Sequence, residues 1–167
     1  WPVEPQPGQV VINELLFDPP VGGQDYLELY NASDHLLDLS LIYVSRANAD
    51  GIPEKLVGLS DQIRIFPPKS YRVFSPDKAW ILHNWSLEDR TSVQPLADLP
   101  NYQASVGTVF VTNVSGGVLD RFDYSERMHF GLLGQTKGVS PERIDAATPT
   151  QEQSNWHSAA SVSGFGT

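Results

Sequence analysis

Residues 10–31 contain two strand-like apolar runs separated by a tight turn, and this segment constrains the fold more than any other. The runs are VVINELLF at 10–17 and DYLELY at 25–30, and a Pro-Pro pair and a Gly-Gly pair stand between them. Such a pattern is typical of a β-hairpin or a tight β-arch. Each run carries one glutamate, Glu14 or Glu28, among residues that would otherwise be buried. The segment therefore predicts a buried hairpin with a carboxylate in each strand.

The rest of the chain adds short strands and one helix. Apolar and polar residues alternate along 36–45, which indicates a strand with one buried face. Ser75 and Pro76 predict a short helical insertion over 76–84, because serine caps a helix and proline suits its first turn. Further strands are predicted at residues 63–66, 71–74, 106–113, 118–124 and 138–144. About seven or eight short strands with one helix predict an all-β, two-sheet β-sandwich.

The N-terminus and one long polar stretch indicate how the chain is organised. Residues 1–8, WPVEPQPG, are predicted to form a proline-rich linker. The chain is therefore expected to be a piece of a longer protein, with one domain over 9–167. Residues 85–105 show no hydrophobic period and are expected to form a long loop. No apolar run is long enough to cross a membrane, so membrane insertion is not expected.

Charge and cysteine content exclude several classes of function. The net charge is −9, and the 11 Lys and Arg residues are spread singly. A domain that binds nucleic acid usually presents a basic patch, so nucleic acid is not an expected partner. The chain has no cysteine, which excludes disulfides, thiol catalysis and zinc sites that use cysteine.

Residues 48–51, Asn-Ala-Asp-Gly, imitate the middle of a calcium-binding EF-hand loop. The match fails because Arg46 and Val57 stand where that loop requires carboxylates. A plain turn is the preferred interpretation, and no cofactor is expected. A looser calcium site is the alternative, formed by Asp18, Asp25 or Asp34.

Glu14 and Glu28 are the first candidate site. If the two strands pair, both carboxylates can fall on one face. A paired-carboxylate glycosidase would also need a substrate cleft and one acid with a raised pKa. The preferred interpretation is structural: buried acids are normally paired, and Arg143 is the predicted partner because a guanidinium matches a carboxylate. The four histidines form no metal-binding or catalytic pattern and no GxSxG motif is present, so an enzyme is not expected.

Trp80, Trp85 and Tyr102 are the second candidate set. They lie in or beside the predicted helix and the long loop. Exposed aromatic side chains there would stack on sugar rings or anchor a protein partner. The alternative is that they cover one end of the core, since large aromatic residues are usually mostly buried.

Five motifs resemble the lamin-tail domain and its bacterial members. They are INELL at 12–16, DYLELYN at 25–31, LDLSLIYV at 37–44, GVSPERI at 138–144 and SNWHSA at 154–159. The resemblance implies an immunoglobulin-like β-sandwich that occurs as a module of secreted or surface bacterial proteins. It implies no catalytic residues, and residues 85–105 depart from the compact family pattern.

These observations together give the expected function. The chain is expected to be a non-catalytic structural or protein-binding module of a larger exported or surface bacterial protein. Its expected partner is another protein or a neighbouring domain of the same chain. The alternative is a carbohydrate-binding module that uses the aromatic residues of the 80–102 region, for which a glycan would be the ligand.

Overall fold

Two β-sheets pack face to face over a shared apolar core, which confirms the predicted all-β sandwich. The computed structural model of this chain describes residues 2–85, 87 and 89–159. Trp1 of the predicted linker, Ser86 and Glu88 of the predicted long loop, and residues 160–167 of the predicted domain lie outside the described residues.

The described residues form strands, one α-helix and three short 3-10 helices. The strands are β1 (Val10–Leu16), β2 (Tyr26–Asn31), β3 (Leu37–Asp38), β4 (Ile42–Ala47), β5 (Pro53–Gly58), β6 (Ile65–Phe66), β7 (Tyr71–Ser75), β8 (Val93–Pro95), β9 (Val106–Asn113), β10 (Val118–Ser125), β11 (Pro141–Arg143) and β12 (Trp156–Ser158). The α-helix, α1, spans Lys78–Asn84, and the 3-10 helices span Leu39–Leu41, Glu126–Met128 and Gln153–Asn155.

The larger sheet, called the β1 sheet here, has the order β12-β11-β1-β2-β7-β8. Its strands pair antiparallel except for β7 and β8, which are parallel. The opposite sheet, called the β9 sheet, has the order β10-β9-β4-β5. A third, small sheet joins β3 to β6.

The predicted opening hairpin lies at the centre of the β1 sheet. All seven residues of β1 are buried, because the strand is covered on both faces. Its inner face packs against the β9 sheet in a core that includes Ile12, Leu15, Val111 and Phe122. Its outer face carries a second, smaller cluster beneath α1, which includes Leu16 and Ile81. Strands covered on both faces read as continuous apolar runs, as the sequence of β1 does.

Helix α1 begins later than predicted. Asp77, not Ser75, is its N-cap, and the Asp77 carboxylate accepts the Trp80 backbone N–H at 2.9 Å. Ser75 belongs to β7, and its hydroxyl donates to the Asp25 carbonyl at 3.0 Å. Ser75 ends β7 two residues before the N-cap, and within the described residues its hydroxyl oxygen accepts only the Asp77 N–H, at 3.4 Å, which precedes the helix.

Two other segments differ from their predicted form. The segment 36–45 is divided into β3, a 3-10 turn and β4, because the Asp38 carboxylate accepts the Ser40 N–H and turns the chain between two sheets. The predicted long loop contains β8, which adds to β7 at the edge of the β1 sheet.

The segment 2–8 packs on the body, although the sequence predicts a linker there. Val3 pairs with Leu37 in an isolated parallel bridge. Gly8 donates its N–H to the Leu119 carbonyl at 2.9 Å, and the Asn113 amide donates to the Pro5 carbonyl at 3.2 Å. Among the described residues, α1 is too short to cross a bilayer, and no other helix is long and apolar enough to do so.

Candidate functional site

A β-bulge in β1 sets the positions of the two glutamates singled out by the sequence. The register of β1 against β2 pairs Ile12 with Leu29 and Glu14 with Glu28, so Asn13 is an extra residue in β1. Because of this extra residue, Ile12 and Leu15 both reach the inner core, while Asn13 and Glu14 turn to the outer face. The expectation that both carboxylates share one face is confirmed.

Glu14 is fully enclosed on the outer face of the sheet. The Tyr26 hydroxyl donates to its Oε1 at 2.6 Å, and the Ser140 hydroxyl donates to the same oxygen. The other oxygen, Oε2, is buried without a hydrogen-bond partner in the described part of the chain. Burial, and then the neighbouring Glu28 carboxylate, raise the pKa of Glu14 to about 8. Glu14 therefore holds a proton at neutral pH.

Glu28 lies beside Glu14 and is almost as buried, with 4% of its surface exposed. The Asn13 side-chain amide donates to its Oε1 at 2.7 Å. Burial raises the pKa of Glu28 to about 7, the Asn13 hydrogen bond opposes this rise, and Glu142 adds to it. Glu142 lies opposite Glu14 on β11, so three carboxylates form a row across β2, β1 and β11.

The prediction that Arg143 pairs with these glutamates is wrong. Arg143 lies one residue after Glu142, and successive side chains of a strand point to opposite faces. Its guanidinium therefore enters the inner core, where it contacts Asp120 of β10 at 3.2 Å. It also donates to the Ile12 carbonyl at 2.7 Å and lies over the Trp156 ring at 5.1 Å.

A groove of about 690 Å³ opens over the outer face, next to the row of carboxylates. Glu28 and Glu142 line it from the floor, and Tyr71 forms part of its wall. Tyr71 is 47% exposed and packs on Tyr30 with 4.6 Å between ring centroids. We call this feature the outer groove. It combines carboxylates and an aromatic face, which are groups that attract cations.

The three aromatic residues predicted to contact a ligand do not lie together in the structure. Trp80 and Trp85 are partly buried and pack edge to face, with 4.9 Å between ring centroids. Trp85 also packs on Tyr26 at 5.5 Å. Gly23 lies so close to Trp80 that an added Cβ would approach its ring to 2.6 Å, so the glycine permits this packing. These indoles cover the outer cluster beneath α1 and form no flat platform.

Tyr102 lies on the other side of the sheet, in the main core. It is 3% exposed, and its ring packs edge to face on Tyr124 with 6.4 Å between centroids. Its backbone N–H donates to the Asp25 carboxylate at 2.9 Å. Burial raises the pKa of Asp25 to about 6. The structure does not place Tyr102 where it can contact a ligand, because its side chain is enclosed.

The residues considered for calcium do not come together. Asp18 pairs with Lys137 at 3.0 Å and Asp34 pairs with Lys69 at 3.2 Å, whereas Asp25 holds the Tyr102 N–H. Across the described residues, no group of three or more histidine or acidic side chains is arranged to hold a metal ion.

The sequence analysis did not single out three strongly exposed apolar residues on two adjoining loops. Val21 is 98% exposed, Leu132 85% and Phe130 64%. They lie on two neighbouring loops, residues 18–23 and 129–138, which we call the end loops. The Gly138 N–H donates to the Asp18 carbonyl at 2.7 Å and joins the bases of the two loops. The signal in the sequence is the run FGLLG at 130–134, where apolar residues stand between glycines and outside any strand pattern.

Comparisons with models of known protein families and with curated proteins find no match to this chain.

Proposed function

We propose that the chain is a non-catalytic module that binds an apolar protein surface through its end loops. The observation that carries this proposal is the exposure of Val21, Phe130 and Leu132 on two adjoining loops. Single exposed apolar residues are common, but several strongly exposed ones on adjoining loops are typical of interaction sites. The partner is a separate protein or a neighbouring domain of the same polypeptide.

The fixed bases of the loops support this proposal. The Phe130 N–H donates to the Ser158 hydroxyl of β12 at 3.0 Å, and His129 contacts the same hydroxyl at 3.2 Å. Lys137 pairs with Asp18 at 3.0 Å at the other end of the loop. A loop held at both ends loses less conformational entropy on binding. The tips are therefore presented from a rigid base.

The chemistry of the exposed side chains favours a protein over the other ligands considered. Of the three end-loop residues only Phe130 has a flat ring that could stack on a sugar, and the aromatic residues predicted for glycan binding are partly or fully buried. The net charge of −9 opposes approach to an anionic membrane surface. An apolar protein surface matches both the side chains and the charge.

The position of Glu14 supports a non-catalytic role for the carboxylate pair. A glycosidase of the paired-carboxylate type needs both acids to reach the glycosidic bond. Glu14 has no exposed surface and its Oε1 is occupied by Tyr26 and Ser140. The motif resemblance to lamin-tail domains supports the further proposal that the module belongs to an exported bacterial protein.

A peptide selection tests the proposal. Random peptides are selected for binding to the wild-type chain. Peptides that also bind the double variant Phe130→Ser/Leu132→Ser are discarded, because they bind other surfaces. The expected peptides share an apolar motif, and the double variant lowers their affinity at least about tenfold. The matched control is Ile52→Ser/Leu56→Ser, which alters two other exposed apolar residues and should leave the affinity unchanged.

Three results would overturn the proposal. The first is a selection that yields no peptide sensitive to the double variant. The second is binding to phosphatidylcholine vesicles that the double variant abolishes, which would assign the loops to a membrane. The third is binding on a glycan array that the double variant abolishes.

A further inference from the structure

Carboxylates form the floor of the outer groove. The cationic side chains of the described residues leave part of their negative charge unpaired. Glu28 and Glu142 lie on strands either side of β1, which places their Cα atoms about 10 Å apart because neighbouring strands are about 4.8 Å apart. Glu14 lies between them and is enclosed. The floor therefore offers a ligand two carboxylates with a gap between them.

One oxygen of Glu28 points into the groove without a partner. The Asn13 amide occupies Oε1. Oε2 has no hydrogen bond within the described residues and is not among the enclosed atoms, and Glu28 lines the groove. Glu28 is only 4% exposed, and its unpaired oxygen faces the groove. Because buried polar groups are normally hydrogen-bonded, this oxygen is suited to accept a hydrogen bond from a ligand in the groove.

The nearby cations are held by other groups. Arg143 is on the inner face with Asp120. Arg72 lines the groove and donates to the Thr91 carbonyl at 3.2 Å. His157 lies 3.4 Å from Glu142 Oε2, on the strand beyond β11 and away from Glu28. None of them bonds to Glu28.

Tyr71 supplies a second, independent feature of the site. Its ring is about half exposed and is held by stacking on Tyr30. Burial raises the pKa of Tyr71, and Glu28 and Glu142 add to the rise. The tyrosine therefore lies within electrostatic reach of both carboxylates. A cation over the carboxylates would meet the face of an aromatic ring as well.

The geometry restricts the kind of cation. A metal ion needs several oxygens at about 2.0–2.6 Å, and the described residues form no such cluster. A quaternary ammonium has no N–H to donate to Glu28. A guanidinium is planar, has donors on several edges, stacks on aromatic rings and pairs with carboxylates.

We propose that the outer groove binds a guanidinium group, which donates to Glu28 and Glu142 and stacks on Tyr71. The group is an arginine side chain of a protein partner or a free guanidinium compound. This site is separate from the end loops and does not depend on their role.

Titration by NMR tests the proposal with four probes. They are the capped pentapeptide Gly-Gly-Arg-Gly-Gly, the same peptide with citrulline, free L-arginine amide and tetramethylammonium. The arginine peptide is expected to shift the Tyr71 ring signals and to bind at least about tenfold more tightly than the citrulline peptide, which lacks the charge. Tighter binding of the peptide than of arginine amide assigns the ligand to a protein, and equal binding assigns it to a free compound.

Variants connect the binding to the groove. Glu28→Gln is expected to lower the affinity for the arginine peptide roughly tenfold. Tyr71→Leu should lower it about threefold, whereas Tyr71→Phe keeps the ring and should retain the affinity. Glu126→Gln is the control, because Glu126 is exposed on a 3-10 helix elsewhere. Equal binding of the citrulline peptide or of tetramethylammonium, no binding of the arginine peptide at about 10 mM, or no effect of Glu28→Gln would overturn the proposal.

Discussion

Buried charge is handled differently on the two faces of the β1 sheet. On the inner face, Arg143 and Asp120 form an ion pair at 3.2 Å. On the outer face, Glu14 and Glu28 lie side by side, and their hydrogen-bond donors are neutral groups of Tyr26, Ser140 and Asn13. In the inner cluster, the positive charge of Arg143 balances the negative charge of Asp120. In the outer cluster, bound protons reduce the negative charge of the glutamates.

The difference has opposite consequences for stability. Burial lowers the pKa of Arg143 and raises that of Asp120, and the attraction between the two opposes both shifts. Removal of either partner leaves the other as a buried, unpaired charge. Removal of a charge from the glutamate pair instead relieves repulsion. Loss of one partner of the inner cluster therefore destabilises the fold, whereas the outer cluster destabilises the fold as the pH rises.

The largest expected effect is that of Arg143→Leu. This change leaves Asp120 without its cation and removes the donors to the Ile12 and Thr148 carbonyls. We expect a loss of about 3–5 kcal/mol in the free energy of unfolding, measured by urea denaturation with tryptophan fluorescence. The matched control is Arg121→Ala, whose partner Asp123 is about half exposed and which should cost at most about 1 kcal/mol. Equal small losses for the two variants would contradict the comparison.

The second effect has the opposite sign and depends on pH. An unfolded glutamate titrates near pH 4.5, whereas Glu14 in the fold titrates near 8. Between these values the unfolded chain ionises first, so stability falls as the pH rises through this window and levels off above it. Glu14→Gln removes the part of this dependence that Glu14 contributes and should stabilise the protein by about 2–3 kcal/mol at pH 9.

Urea denaturation from pH 5 to 9 measures this second effect. At pH 5 the wild-type chain and Glu14→Gln should differ little, because Glu14 is protonated in the fold. Glu126→Gln, a change at an exposed site, should follow the wild-type curve. A wild-type stability that rises between pH 5 and 8 would show that Glu14 is ionised and paired after all.

The sequence predicted the outer cluster better than the inner one. Both glutamates stand in consecutive strands joined by residues 17–25, so their pairing follows from local pattern. Arg143 was assigned to the wrong acid because its neighbour Asp120 comes from β10, in the other sheet. Whether a strand residue faces inward or outward changes with a shift of one position. The segment GVSPERI shows no alternation of apolar and polar residues that would indicate which face of the sheet Arg143 occupies.

Other features depend on tertiary contacts that the sequence does not encode locally. The bulge at Asn13 is needed to turn two consecutive polar residues outward, and no glycine marks it. The outer groove depends on Glu142 and Tyr71, which are far apart in the chain. Asp77 caps α1 in place of Ser75 because the chain stays in β7 through Ser75, so the helix begins only at Lys78.

The third effect tests how far the inner pair depends on its neutral neighbour. The Thr150 hydroxyl donates to Asp120 and accepts from Arg143. Thr150→Val keeps the shape of the side chain and removes both hydrogen bonds. We expect a loss of about 1–2 kcal/mol, smaller than for Arg143→Leu because the ion pair itself remains. A loss as large as that of Arg143→Leu would mean that the hydroxyl, and not the charge pairing, holds the cluster together.

The smallest effect separates stability from binding at Glu28. Glu28→Gln keeps the acceptor for the Asn13 amide and removes a charge next to Glu14. We expect a gain of about 1 kcal/mol at pH 9, less than for Glu14→Gln because burial raises the pKa of Glu28 only to about 7, against about 8 for Glu14. The same variant is expected to bind the arginine peptide roughly tenfold more weakly. A residue whose replacement stabilises the fold and weakens binding is retained for binding. A Glu28→Gln variant that is destabilised at pH 9 would instead show that the fold requires the Glu28 charge.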